Sequence, residues 1–256
     1  MYVPAEGQLI VVIFLLYLYD CIVLAYRNEV VAHRLPSGYR VIFPRNNATF
    51  GRRLLIRLPL VTPFYPAYRL TWSPYPPPEG GATPDAATRL EAFRARDTAL
   101  SSRLLPGTLL LAPGILLLMP LGLCFLPILY VLALLPFIYL LILFQLYQFA
   151  RFHADYPLSR EKLWLLAVES LICPPCAINL VRKISLHLPV PIDLVVFAEN
   201  LLPPETRQSV LRSVAERIEE NLLFVEDPDA PQAKQAQDYA AQLRAGTEDR
   251  IVIRNP

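Results

Sequence analysis

The chain has 256 residues, of which 54% are apolar and 18% charged, with 26 prolines against nine glycines and a formal net charge of +2. A mean hydropathy of +0.37 excludes an ordinary soluble domain, and the charge content excludes a bare bundle of membrane helices, so lipid-embedded and water-facing parts are both expected. The small total charge hides a polarised distribution. Residues 27–106 carry 12 of the 24 Lys and Arg against five acids, whereas residues 182–256 carry nine against twelve. The arginines are scattered among prolines and aliphatics rather than run together, so no nucleic-acid partner is expected.

Residues 8–26 form the first apolar segment, with Asp20 its only charge. No Lys or Arg precedes it, and Arg27, Arg34 and Arg40 follow, which is the wrong asymmetry for a cleaved secretory signal. The expectation is a membrane anchor over residues 1–26, with the following segment on the cytoplasmic side. Residues 27–75 read as a small basic β module. Val30, Val31 and Leu35, then Tyr39, Val41 and Phe43, alternate with polar neighbours, and Leu54 to Val61 and Tyr68 to Trp72 continue the pattern. Pro59, Pro63 and Pro66 confine these strands to edges or bulges. Asn47-Ala48-Thr49 matches a glycosylation acceptor, which is inert on a cytoplasmic face.

Residues 76–106 read as a proline-rich linker and an amphipathic helix. Thr83 is the expected N-cap and Pro84 lies in the first turn. Ala86, Leu90, Phe93, Leu100 and Leu104 recur at helical spacing, so this helix should lie on the membrane surface or pack on the β module.

From Leu104 to Ala150 there is no Asp, Glu, Lys, Arg or His. As helix this run would be about 70 Å long, roughly twice a bilayer core, so residues 107–149 are expected to form a hairpin of two spans near 107–126 and 128–148. Pro106, Pro113, Pro120 and Pro127 recur every seven positions, which puts them almost on one face of the hairpin. That face is a candidate contact with another element. Beyond Arg151, residues 150–188 contain an apolar stretch, Leu163 to Val181, broken by Pro174-Pro175 and flanked on both sides by basic residues. It is expected to be interfacial or re-entrant rather than a further crossing. Residues 189–256 should be water-facing and helical: a short helix over Ile192–Leu202, a longer one over Glu205–Phe224, a polar one from Gln232 to a stop at Gly246, and a strand over Arg250–Arg254. The apolar stripe of Val210, Leu211, Val214, Ile218 and Leu222 is the candidate partner surface.

The chemically interesting side chains are few. Asp20 and Glu169 are acids in apolar segments, which by default mark functional positions. Cys173-Pro174-Pro175-Cys176 has the spacing of a redox dithiol or half a zinc site, but no second ligand pair accompanies it. Glu169 lies one turn before Cys173. His153 and Asp155 follow a span, with Tyr156 as an interfacial anchor. No phosphate-binding glycine loop, nucleophile elbow or paired-histidine zinc motif is present, so no cofactor and no catalytic apparatus are expected.

The sequence therefore predicts an α-helical polytopic membrane protein: an N-terminal anchor, a proline-rich helical hairpin, a small cytoplasmic β module and a helical C-terminal region. Residues 27–106 and 182–256 would face the cytoplasm from the plasma or inner membrane. The expected role is a scaffold or accessory subunit that binds a protein partner, itself or anionic lipid head groups. The alternatives are an oligomeric transport component using Asp20 or Glu169, and a membrane enzyme acting on thiols or lipids.

Overall fold

The computed structural model describes residues 5–50, 53–60, 62–76, 84–151, 158–225, 227 and 230–252. Helix α1 runs from Ala5 to Asp20 and stops there, because Ile22–Ala25 is a strand, β1. The anchor is thus shorter than its apolar sequence. At about 1.5 Å per residue its 16 residues reach about 24 Å. The β-branched Ile22 and Val23 pair antiparallel with Arg57 and Ile56 instead of extending the helix.

Five more strands follow: β2 (Glu29–Leu35), β3 (Gly38–Ile42), β4 (Arg45–Phe50), β5 (Arg53–Arg57) and β6 (Ala67–Thr71). They form two three-stranded sheets, ordered β1-β5-β4 and β3-β2-β6, with every ladder antiparallel. Gly38, at φ 135°, makes the tight β2–β3 turn that a side chain would strain. The sheets share a small core of Val23, Ala25, Ile56 and Leu58 against Val31 and Ala67. The expected alternation fails in β2, where Val30, Val31, Ala32 and His33 are all buried. This strand is covered on both faces, by the other sheet and by helices.

Helix α2 (Pro84–Pro113) passes through a π-helical turn (Gly114–Leu118) into α3 (Met119–Phe125), so the amphipathic helix and the first apolar helix are one rod about 60 Å long. Its first half lies on the β3-β2-β6 sheet. Phe93 packs among Tyr39, Tyr68 and Phe197. Buried Asp97 accepts hydrogen bonds from Tyr39, Tyr68 (2.8 Å) and Arg34 (2.6 Å). The expected N-cap, Thr83, lies outside the described residues, as do His153, Asp155 and Tyr156; the side chain of Asn47 is likewise not described.

After the turn at Leu126-Pro127, α4 (Ile128–Arg151) returns antiparallel to α2–α3. The face that meets α4 belongs to glycines, not prolines. A Cβ at Gly107 would lie 2.7 Å from Gln145, one at Gly122 would lie 3.2 Å from Val131, and Gly114 sits opposite Ile138. Pro106, Pro113 and Pro127 are exposed and Pro120 half-buried, so within the chain the contact with α4 is made by a neighbouring glycine stripe. The physical reason is close helix approach, which an absent side chain permits and a pyrrolidine ring does not. Gln145 donates to Thr108 (2.7 Å), and Thr108 donates to the Leu104 carbonyl (3.2 Å), a polar clasp inside the apolar hairpin. Where the π turn ends, the Met119 amide bonds to Gly114 one residue further back than in an α-helix, immediately before Pro120 removes a donor.

Helix α5 (Arg160–Ile172) breaks at Cys173, and the chain turns back through α6 (Pro174–Ala177) into α7 (Leu180–His187). Leu166 at one end of this V and Ile184 at the other join the same large core, while Ala177 and Ile178 at its apex pack with Ile13 and Tyr17 of α1 and Leu111, Ile115, Ile138 and Ile142 of the hairpin. Neither arm is long enough to cross a bilayer.

Helix α8 (Leu194–Leu201) is capped by Asp193, which accepts from the Val195 amide (2.8 Å). Helix α9 (Pro204–Leu222) and helix α10 (Pro231–Val252) close the fold. The stripe read as a partner surface turns inward: Val210, Leu211, Val214 and Ile218 are buried in the main core and Leu222 packs against it. Helical amphipathicity alone cannot distinguish an intramolecular core from an intermolecular one. The expected stop at Gly246 and strand at 250–254 are also corrected, since α10 runs unbroken to Val252 and residues 253–256 lie outside the described part.

Gly107→Leu should wedge the hairpin apart and displace the Gln145–Thr108 bond, costing about 1–3 kcal/mol, whereas Pro113→Ala, on an exposed face, should leave stability unchanged or raise it. Thermal unfolding in detergent of the two variants, followed by circular dichroism, checks the contrast.

Candidate functional site

Among the described residues, the base of the apolar bundle, where α1 ends and the α5–α6–α7 turn has its apex, gathers three metal-ligand-type side chains, Asp20, Glu169 and Cys176. Asp20, Glu169, Cys173 and Cys176, up to 156 positions apart in sequence, all converge there. Lys183 of α7 brings the acids together. Its ammonium lies 2.5 Å from Asp20 and 2.7 Å from Glu169. Burial by itself pulls the Lys183 pKa down, but Asp20 and Glu169 outweigh it and hold the ammonium above its ordinary value. The Asp20 side chain is only 7% exposed, and its second oxygen, Oδ2, is buried without a hydrogen-bond partner. Glu169, at 41%, reaches solvent.

The two thiols lie beside this pair. Cys173, half-buried, ends α5 and precedes α6, and its sulfur is 2.7 Å from that of buried Cys176. Pro174 and Pro175 set the geometry. Lacking amide donors, they cannot prolong α5 but can open a new helical turn, which folds Cys176 back over Cys173. Burial, then the Cys173 contact, pushes the Cys176 thiol far above the ordinary range. One carboxylate oxygen each from Asp20 and Glu169 and the Cys176 sulfur lie within 4.8 Å of one another.

Behind them is a second polar layer. Arg182 is 1% exposed, and its guanidinium donates to the carbonyls of Pro59 and Thr62 and to Asn179 (3.4 Å). Asn179 and Arg182 also approach the Cys21 sulfur at 3.7 Å. With Asp20 and Glu169 against Lys183 and Arg182, the formal charges of the site cancel, as burial requires. Tyr17 donates to the Leu60 carbonyl, tying α1 to the same loop. Deeper in the sheet, His33 is fully buried. Burial first, and then the nearby Arg182 charge, lower its pKa to about 4, so it is neutral near pH 7.

Spacing in the sequence related Glu169, Cys173 and Cys176 to one another, but not to Asp20. Lys183 and Arg182 read there only as a basic flank, and Cys21 and Asn179 carried no signal. Gln145 and Thr108 could have been found as rare polar residues in the uncharged run. A divalent ion would find hard and soft ligands here, but the ammonium of Lys183 already stands between the carboxylates. No protein-family model, curated protein or solved structure matches the chain, so the site is read from its own geometry.

Lys183→Met leaves Asp20 buried and unpaired and should destabilise by about 3–5 kcal/mol. Glu169→Gln, at the solvated side, should cost well under half of that, and denaturant titration of both variants checks the ratio. His33 has a lowered folded pKa, so its contribution is intact above about pH 6.5. It is lost as pH falls towards 4, because the unfolded chain takes up the proton and the folded one does not. His33→Phe should therefore reduce the acid-side loss by about 3 kcal/mol, measured as the difference between wild-type and variant stability at pH 7 and pH 4.

Proposed function

We propose that the chain is a polytopic membrane protein with α1, α2–α3 and α4 in the bilayer, and that it serves as a membrane-held scaffold or accessory subunit rather than a catalyst of small-molecule turnover. The reading rests on one observation, an apolar girdle around the bundle. Two helices, Ala87–Phe125 and Leu129–Arg151, are long and apolar enough to cross a membrane, and only 28% and 22% of their most apolar windows are buried by protein. A core helix of a water-soluble protein would be mostly covered. Leu9, Phe14 and Leu15 of α1 and Trp164, Leu165 and Ile172 of α5 extend the girdle.

All six strands and α7–α10 lie at one end of the bundle, so residues 27–106 and 182–256 share one side of the membrane in this reading. The basic excess of residues 27–106 favours the cytoplasmic side of a plasma or inner membrane. The α5–α6–α7 turn dips in and returns, with Trp164 and Ile172 against lipid.

With the α9 stripe buried, lipid is the better-supported partner. A groove of about 560 Å³ runs between β3 and β5, lined by Arg40 and Arg57 together with Ile42, Phe43, Leu58 and Leu60. Leu60 is tied to Tyr17, one turn above the end of α1, so the groove opens at the level where head groups would lie. Two arginines over an apolar floor match a phosphate above an acyl chain.

Carbonate washing should leave the protein in the membrane pellet, and reporters fused at residues 155 and 240 should read the same side while one inserted at 126 reads the other. Release by carbonate, or a soluble product in detergent-free lysate, would refute the reading. Native mass spectrometry should show anionic phospholipid retained by the wild type and at least fivefold less by Arg40→Ala/Arg57→Ala, with neutral lipid unchanged.

A further inference from the structure

We propose that Cys173 and Cys176 form a thiol–disulfide exchange site, with Asp20 as the proton acceptor for the second step. The scaffold reading does not require this activity, and the activity does not require the scaffold reading.

Three features of the geometry converge on it. The sulfurs face each other at 2.7 Å across the Pro174-Pro175 turn, so a bond between them needs no rearrangement of the backbone. The two thiols are unequal in access: Cys173 is half-buried at the rim and Cys176 is buried behind it. The buried carboxylate of Asp20 has one oxygen committed to Lys183 and the other, Oδ2, without a partner. The Asp20 and Cys176 atoms lie within 4.8 Å, a span that one side-chain rotation or one water closes.

The roles follow from these positions. Cys173, as thiolate, attacks a disulfide RSSR, forming a mixed disulfide Cys173–S–S–R and releasing RS⁻. Cys176 then attacks the Cys173 sulfur, its proton passing to Asp20, and the second RS⁻ departs. RS⁻ takes up the protons from Cys173 and, through Asp20, from Cys176. Two thiols are oxidised to one disulfide and RSSR is reduced to two RSH, so electrons and protons balance. Burial holds Cys176 protonated until it is needed, which is why a base beside it matters. Lys183 holds the other oxygen of Asp20 in place and is a positioning residue. The exposed apolar face of α5, Trp164, Leu165, Val168 and Ile172, leads to the Cys173 rim.

A metal centre is the competing use of the same ligands. Lys183 between the two carboxylates and sulfurs too close to coordinate one ion as separate ligands favour exchange.

The test uses full-length protein in nanodiscs, with exposed Cys124 replaced by Ala so that it cannot react. Equilibrated with oxidised and reduced glutathione, then alkylated and weighed by mass spectrometry, Cys173 and Cys176 should titrate together as a single two-electron couple, with Cys21 remaining a thiol. Cys176→Ala should accumulate a glutathione adduct on Cys173, whereas Cys173→Ala should leave Cys176 at least tenfold slower to react. Asp20→Asn should leave formation of the mixed disulfide unchanged and slow its resolution at least tenfold. The proposal is overturned if the pair oxidises only after unfolding, if the two single variants react alike, or if the purified protein carries stoichiometric zinc that shields both thiols. The wild-type titration and the two cysteine variants decide the exchange site even where Asp20→Asn fails to fold, and inclusion of the protein in the carbonate pellet reports on the membrane reading independently.

Discussion

The ammonium of Lys183 sits between two carboxylates from distant helices, Asp20 from the last turn of α1 and Glu169 from α5. An unpaired charge at the depth of Asp20 costs several kcal/mol, so Asp20 and Lys183 are each tolerated because the other is in place, with Glu169 joining them from the solvated side. That mutual requirement fixes where α1 stops relative to the α5–α6–α7 turn. It also fixes which way α7 runs, and hence where the preceding residue, Arg182, meets the carbonyls of Pro59 and Thr62 in the β module. The apolar bundle and the sheet-and-helix globule are joined at this point by charge rather than by apolar contact alone.

The long rod of α2 and α3 makes the second connection, by a different means. Along its first half the partners are aromatic rings and the Asp97 carboxylate; along its second half they are glycine-sized gaps filled by α4. A single helix can serve both environments because its backbone hydrogen bonds are internal throughout, whatever surrounds the side chains. The π turn lies between Pro113 and Pro120, where an α-helix would otherwise have to absorb two lost donors within seven residues. The two Pro-Gly pairs, Pro106-Gly107 and Pro113-Gly114, thus have one explanation for each member. The glycine permits close approach, and the proline faces outward where its ring has room.

The stripe on α9 that a sequence offers as an interaction site forms the core with α8 and α10. The girdle, the Arg40–Arg57 groove and the dithiol rim are the surfaces on which the proposed membrane and exchange roles rest.

Sequence patterning sufficed for several elements set by neighbours along the chain, though not for the end of α10, which runs through Gly246. The uncharged run of residues 104–150 gave a helical hairpin, Pro174-Pro175 gave the break after Cys173, and the periodic apolar residues of 205–224 gave α9. These depend on backbone donors, helix period and transfer of side chains from water, which act over one or two turns. What required the tertiary structure was which face meets which. The end of α1 at Asp20 was decided by strand pairing with residues 54–57, the burial of β2 on both sides by a second sheet, and the orientation of Val210 and Ile218 by helices that lie beyond the stripe itself. Asp20, Glu169, Cys173 and Cys176 were each conspicuous alone as polar or reactive groups in apolar sequence. The arrival of Asp20 beside the other three and Lys183 was not, because contact between residues more than a hundred positions apart is set by packing and charge pairing in three dimensions, for which periodicity along one segment holds no record.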